Sequence, residues 1–596
     1  MKRALLATAG LTCLITASAH AQALRDMPRI PQAQHANIAQ PEPEEVQAVG
    51  HHPKPVLTLR GIRITDTDAG IQQQPDAAHP YRTKFRGVES DVSFIRRHAK
   101  LRRQVASYLG KQTSIDTLNE ICRSIERFYA KRGRPFVAVS IPKQFSANGD
   151  VTLLVQEYRV GDVSIKNDGG IPEKAFLKTG DVLDMAHVQY ALDRLNDNPF
   201  RSASIDFSPS DKEGVSNVDI NIKQHGAFGT KLPLSAYASY DTNNVPLLGR
   251  QEYAVGGSWG NVFGGGGILS YQFTHAVSDK YSAHALNFTQ PLAWGDRIQI
   301  FGTYAYEHPV EYSQGYRFDE AGHSGQASIR YIHDFLPLSF NNNKIVFRQQ
   351  IAVGFDFKTT NNNVEFGGVN VWGASANTLQ FPITYTARES DPWGETTLIN
   401  SLIFSPGGMM GGNNNKAFQT LVPGSKASYV YDNVSLKRLT YLPRGWSHTL
   451  TVNAQDSSSN LMYSNQLGLG GMYNGRGYFT DTAMGSRGVS VQNEINTPVV
   501  KFADLFKKSK AVWANDVQAQ AGVFFDYGHV AQVRRISGQK PVDLASVGFD
   551  LKFKVRNNVS VLFNIGWRLK HTPTDRQEMG YGNKGAFGNV SLVVGL

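Results

Sequence analysis

The stretch Gly470-Gly471-Met472-Tyr473-Asn474-Gly475-Arg476-Gly477-Tyr478-Phe479 places one permanent cation between two glycines and ahead of two aromatics. A guanidinium is a planar fork of donors that takes a carboxylate through two parallel hydrogen bonds and stacks on aromatic faces. The chemistry open to Arg476 is therefore charge recognition. Gly470, Gly471, Gly475 and Gly477, followed by Gly485 and Gly488, let this loop fold tightly and approach a wall closely. Asp526, in Phe524-Phe525-Asp526-Tyr527-Gly528, is the carboxylate that can receive the arginine, with Phe524 or Tyr478 stacked on its plane. Without such a partner, Arg-Gly-Tyr would read as a surface tip. No His-Glu-x-x-His, paired-cysteine metal site or phosphate-binding loop occurs, so no enzyme activity, metal or other cofactor is expected. His51 and His52 lack a further ligand at useful spacing.

Asp526 acquires a side from the pattern around it. Val517, Ala519, Ala521, Val523, Phe525 and Tyr527 alternate with Gln518, Gln520, Gly522, Phe524, Asp526 and Gly528, so the carboxylate shares a face with Phe524 and Gly528. The same alternation runs through Val547 to Val555 and, beyond Arg556-Asn557-Asn558, through Val559 to Lys570. Such strands exceed the ~5 to 6 residues usual in a soluble sandwich. One face carries Lys, Arg and Asp; the other is apolar. Apolar outside and wet inside is the arrangement of an outer-membrane barrel. The 365 residues from 232 to 596, shared among about 16 antiparallel strands, leave about 23 for each strand and connection. The last alternating run, Asn589 to Leu596, reaches the chain end, where it can close the sheet.

Ahead of the barrel, residues 56–157 and 158–225 repeat one α+β order. The first unit has an opening strand from Val56 to Ile64 and a polar insertion over about 70–90. A helix marked by Leu101, Val105 and Leu109 follows, then one marked by Ile115, Leu118, Cys122, Ile125 and Tyr129, then strands Phe136 to Ile141 and Val151 to Val155. The second has strand Tyr158 to Ile165, helices Pro172 to Lys178 and Met185 to Leu195, and strands Ser202 to Phe207 and Val215 to Ile222. The barrel region is 226–596.

Lys2 and Arg3, the apolar run Ala4 to Ala17 and Ala19-His20-Ala21 have the order of a secretory signal peptide cleaved after Ala21, so 1–21 is read as signal. Residues 22–55 hold six prolines and read as a flexible leader. Loss of the signal leaves Cys122 as the one cysteine of the exported chain, which excludes an internal disulfide. The formal charge of +11 is dispersed, so nucleic acid is not an expected partner; Arg96, Arg97, Lys100, Arg102 and Arg103 read as a solvated helix face.

Two tandem β-α-α-β-β units before a barrel resemble polypeptide-transport-associated (POTRA) domains. Arg476-Gly477-Tyr478 with Phe524-Phe525-Asp526-Tyr527-Gly528 resembles the paired signatures of the outer-membrane assembly and translocation superfamily. Two units, together with Gly470-Gly471, Arg476-Gly477-Tyr478 and Gly485-Ser486-Arg487-Gly488 in that order, are similar to two-partner secretion transporters of the haemolysin-activator and filamentous-haemagglutinin-transporter type. The resemblance implies a 16-stranded barrel in the outer membrane of a Gram-negative bacterium, with both POTRA domains in the periplasm. It implies export of a large β-rich exoprotein of haemolysin or adhesin type, recognised through its N-terminal secretion domain, with outer-membrane lipid and the barrel assembly machinery as further partners. A general outer-membrane assembly factor is the alternative. Two departures stand out. The family's pore-plugging helix has only the proline-free stretches Gln32 to Gln40 and Glu44 to His52 available, and nine helical residues span only about 13.5 Å. The chain also ends in Leu596 where many such barrels end in an aromatic.

Overall fold

The computed structural model describes residues 57–67, 87–144, 146, 149–166, 177–226, 232–313, 316–340, 344–366, 369–502, 516–536, 539–556, 558–572 and 585–595. The signal 1–21, the leader 22–55 with both histidines and the two plug candidates, most of the 70–90 insertion and Leu596 lie outside the described residues.

In the first unit the opening run divides in two. Leu57–Thr58 pairs with Gln112–Thr113, whereas Gly61–Thr65 enters a four-stranded sheet between Gly87–Ser90 and Asp150–Glu157. The chain changes partners at Leu59 and Arg60, whose amides donate to the carbonyls of Lys111 and Gly149. Gly87–Ser90, assigned from sequence to the insertion, is therefore a parallel edge strand. Its four residues are too few and too polar to show alternation.

The first expected helix is two, Ser93–Arg96 and Ala99–Ala106, with Leu109 beyond them. The next, Ile115–Ala130, starts at Ser114, whose hydroxyl caps Thr117 N. It buries Leu118, Cys122, Ile125 and Tyr129 against Leu59, Ile62 and Leu153, but Ile115 overhangs the first turn and is 57 % exposed. Burial pushes the Cys122 thiol up to about 12, so it stays protonated and unreactive at neutral pH.

The second unit packs Met185–Asn196, capped by Asp184, on a sheet ordered Arg159–Lys166, Val215–Gln224, Arg201–Pro209. Val188, Leu195, Val218 and Ile220 are its core. Of the expected helix Pro172 to Lys178, only Leu177 and Lys178 are described, and neither is helical.

Sixteen antiparallel strands, from Leu234–Asp241 to Ala586–Gly595, form the closed barrel. Those two strands pair from Tyr237↔Gly595 to Asp241↔Ser591 and leave no free edge. Outward residues such as Val255, Leu286, Ile300, Ile383, Val523 and Phe549 are exposed and apolar, whereas Ser270, Asn287, Asp356, Gln380, Asp526 and Asp550 are buried inside. This inversion of a soluble core matches lipid outside and a polar lumen. Because the chain enters from the second unit, the short connections 263–266, 292–296 and 442–446 share that unit's end, and the long connection 458–486 starts at the opposite end.

Candidate functional site

Residues 458–486 join the strands Ser447–Ser457 and Arg487–Asn496, yet they fold back among buried side chains instead of projecting outward. Leu467–Leu469 pairs with Ala483–Gly485, and one helical turn, Gly471–Asn474, carries the chain to its tip. Gly475 at φ 144° and Gly477 at φ 91° adopt backbone that side-chain-bearing residues rarely reach, which turns Arg476 toward the wall.

Four neighbouring strands make that wall: Arg487–Asn496, Val517–Ala531, Val542–Val555 and Val559–Arg568. Register aligns Gln492, Asp526, Ser546 and Arg568 in one rung and Glu494, Phe524, Gly548 and Gly566 in the next. A third holds Asn496, Gly522, Asp550 and Asn564. Successive rungs lie on the lumen face because side chains alternate along each strand.

Arg476 is 5 % exposed and meets all three rungs. Its Nε and Nη2 donate to Asp526 Oδ2 and Oδ1 at 2.9 and 2.8 Å, and its backbone amide adds a third bond to Oδ2 at 2.9 Å. Nη1 donates to Asp550 Oδ2 at 3.2 Å and to Glu494. The guanidinium lies 3.7 Å over the Phe524 ring. Lys552 donates to Glu494 and, at 2.9 Å, to Asn496. Two cations thus face three carboxylates.

Tyr478 does not stack on Arg476. Its hydroxyl sits 2.8 Å from the Ala545 carbonyl and accepts the Ala545 amide at 3.2 Å, while Arg568 lies over its ring at 5.2 Å. Arg568 Nε also donates to the Gly477 carbonyl at 2.7 Å. The wall glycines make room for the loop. A Cβ on Gly566 would lie 2.8 Å from Gly477 N, and one on Gly528 would lie 2.8 Å from Leu469 Cδ1. Gly470 and Gly471 crowd Phe479 and Thr480, whereas Gly485 and Gly488 crowd Ala531 and His529.

Sequence reasoning missed Glu494, Asp550, Ser546, Arg568 and Gly566. Alternation put Asp550, Gly566 and Arg568 on the inner face, but only strand register brings them to one loop with Glu494 and Ser546. Gly256-Gly257-Ser258-Trp259-Gly260 has the spacing of a hydrolase nucleophile elbow, but it lies within the barrel strand Glu252–Val262. There Ser258 Oγ is 2.8 Å from Ser270 Oγ, with no turn into a helix.

A second charged contact joins the second unit to the barrel rim. Arg194 pairs with Asp197 at 2.6 Å and with Asp334, and Arg297 bonds Asp197 and Asp334, each at 2.9 Å. Arg348 Nε donates to Asp193 Oδ2 at 2.7 Å. Asp334→Ala would leave Arg194 and Arg297 sharing one carboxylate, a loss of about 3 kcal/mol at such a partly shielded cluster. Distances between spin labels at Lys212→Cys and Trp393→Cys are expected to broaden in this variant, with conductance unchanged. A distribution as narrow as the parent's would refute the docking role.

A closed outer-membrane barrel with an inward-folded loop on its wall, and two α+β units at one end, defines a protein translocator. The chain matches the model of the haemolysin secretion/activation protein ShlB/FhaC/HecB over residues 214–553 and that of the ShlB-type POTRA domain over 84–157, and it belongs to this family. It is similar to the heme/hemopexin transporter protein HuxB of Haemophilus influenzae (strain 86-028NP), 22 % identical over 77 % of this chain and 78 % of that one. Its fold resembles CdiB from Escherichia coli, with a TM-score of 0.70 at 15 % identity over 97 % of this chain and 98 % of that one. CdiB from Acinetobacter baumannii matches with a TM-score of 0.61 at 14 % identity, covering 98 % and 99 %. The protein is a two-partner secretion transporter: it exports an exoprotein across the outer membrane, with its POTRA domains in the periplasm. Family membership favours this reading over the general assembly factor.

Proposed function

We propose that the loop carrying Arg476 is a latch that holds the pore in its resting state and rearranges as the client passes. The observation that carries this reading is Arg476, buried against Asp526, Asp550 and Glu494 on a loop folded into the lumen. Gly477 and Tyr478 seat the loop; Phe524, Asp526 and Gly528 receive it.

The client is a large β-rich exoprotein of haemolysin or adhesin type. It reaches the pore as an extended chain, and its N-terminal secretion domain pairs with a POTRA sheet edge such as Arg159–Lys166 or Arg201–Pro209. Backbone pairing gives affinity with little demand on sequence. The protein moves its client without catalysing a reaction. Lipid contacts the apolar band, and the barrel assembly machinery inserts the chain. Deleting the gene is expected to remove one large exoprotein from surface and medium while other outer-membrane barrels keep their abundance. Simultaneous loss of many barrels would instead support an assembly factor.

A further inference from the structure

The loop also meets a different sector of the wall. Asn465 closes the turn Tyr463–Asn465 at the loop's root and is buried. Its amide oxygen accepts Lys358 Nζ at 2.6 Å, and its amide nitrogen donates to Gln380 Oε1 at 3.1 Å and to Tyr429 Oη at 3.2 Å. A lysine can only donate, so this orientation of the carboxamide is the one that gives the buried ammonium an acceptor. The wall partners are tied in turn: Tyr429 donates to Gln380 Oε1 at 2.8 Å, and Gln380 Nε2 to Asp356 Oδ2 at 2.9 Å.

These side chains come from Ile345–Phe366, Val369–Asp391 and Tyr429–Tyr441, none of which contributes to the Arg476 cluster. The connection 406–428 adds apolar cover there, with Phe418, Leu421 and Val422 packed in one cluster with Leu461 and Met462.

We propose that Asn465 is a second fixed point of the loop, a positioning residue that holds its root on Lys358, Gln380 and Tyr429 when Arg476 leaves Asp526. The loop then pivots within the lumen instead of leaving it. This rests on the latch reading and adds a separate anchor to it. Three groups on three strands hold the Asn465 side chain, so release of the tip alone leaves the root bonded.

The test uses the full-length protein in planar bilayers. Arg476→Ala is expected to raise conductance modestly, and Asn465→Leu added to it to raise conductance several-fold further. Asn465→Asp keeps an oxygen for Lys358 but loses the donor to Gln380 and Tyr429, so added to Arg476→Ala it is expected to raise conductance less than Asn465→Leu does. Lys358→Met combined with Asn465→Leu removes both partners together, leaves no buried ammonium unpaired, and guards against a variant that simply misfolds. A thiol at Tyr473→Cys, exposed on the loop, gives an independent reading. Maleimide labelling of it is expected to quicken when both anchors are removed. If Asn465→Leu, with or without Lys358→Met, adds nothing to Arg476→Ala in conductance or labelling, the root anchor is overturned. Failure of the latch reading shows differently, as an Arg476→Ala channel indistinguishable from the parent.

Discussion

Arg476→Ala will leave the barrel folded and inserted, abolish export of the client, and raise single-channel conductance. Insertion survives because the closed ladder of sixteen strands does not pass through the loop. Export fails because Asp526, Asp550 and Glu494 keep only Lys552 as a cationic neighbour among the described residues. Removing one partner from a shielded ion pair costs about 3 to 5 kcal/mol, and a wet lumen places this site toward the low end. Even about 3 kcal/mol shifts a two-state equilibrium more than a hundredfold. Arg476→Lys restores the charge but not the fork, so partial recovery is expected. Secretion measured in culture medium, with heat-modifiable migration as the check on folding, decides the matter; unchanged secretion in the alanine variant would sink the latch.

Gly566→Val is expected to block export as fully although it replaces no member of the ion cluster. The new Cβ would lie 2.8 Å from Gly477 N, 2.9 Å from Gly477 Cα and 3.0 Å from the Arg476 carbonyl carbon, all backbone atoms that no side-chain rotation can move. The loop must back away, and the Arg476 fork loses its alignment with Asp526. Valine itself suits a strand, so thermal stability of the barrel should hold. Normal export from a stable Gly566→Val barrel would show that the loop need not sit against this wall.

The two variants separate charge from fit, and they differ in how far the sequence foretells them. Arg476 with Asp526 is legible because two local facts suffice: alternation puts the carboxylate inside, and a glycine-rich loop can carry a cation inward. Gly566 is not legible in the same way. Its distance from Gly477 depends on which strands are neighbours and in what register, a property of the closed sheet. The same holds for Glu494 and Asp550, which look like ordinary lumen residues until the rungs align them, and for Asn465, whose partners lie as much as 107 residues away.

In the two units, the helices Ile115–Ala130 and Met185–Asn196 were legible from period, whereas Gly87–Ser90 was not, since a short polar edge strand owes its form to its neighbour. Tyr478 makes the same point from the other side. Sequence left it and Phe524 as equal candidates to stack on the arginine. The structure gives Phe524 that place and sets Tyr478 on the Ala545 backbone instead.

By itself the sequence determined the tandem α+β units, the barrel of about sixteen strands, the inner face of the strands near the C-terminus and the one cation able to pin a loop. All of these follow from periodicities of two and 3.6 and from the chemistry of single residues. Tertiary structure alone decided that the arginine meets three carboxylates instead of one, that Gly566 admits the loop backbone, and that Arg194 and Arg297 hold the second unit to the rim. Those contacts join residues remote in sequence, and only closing the barrel sets their distances.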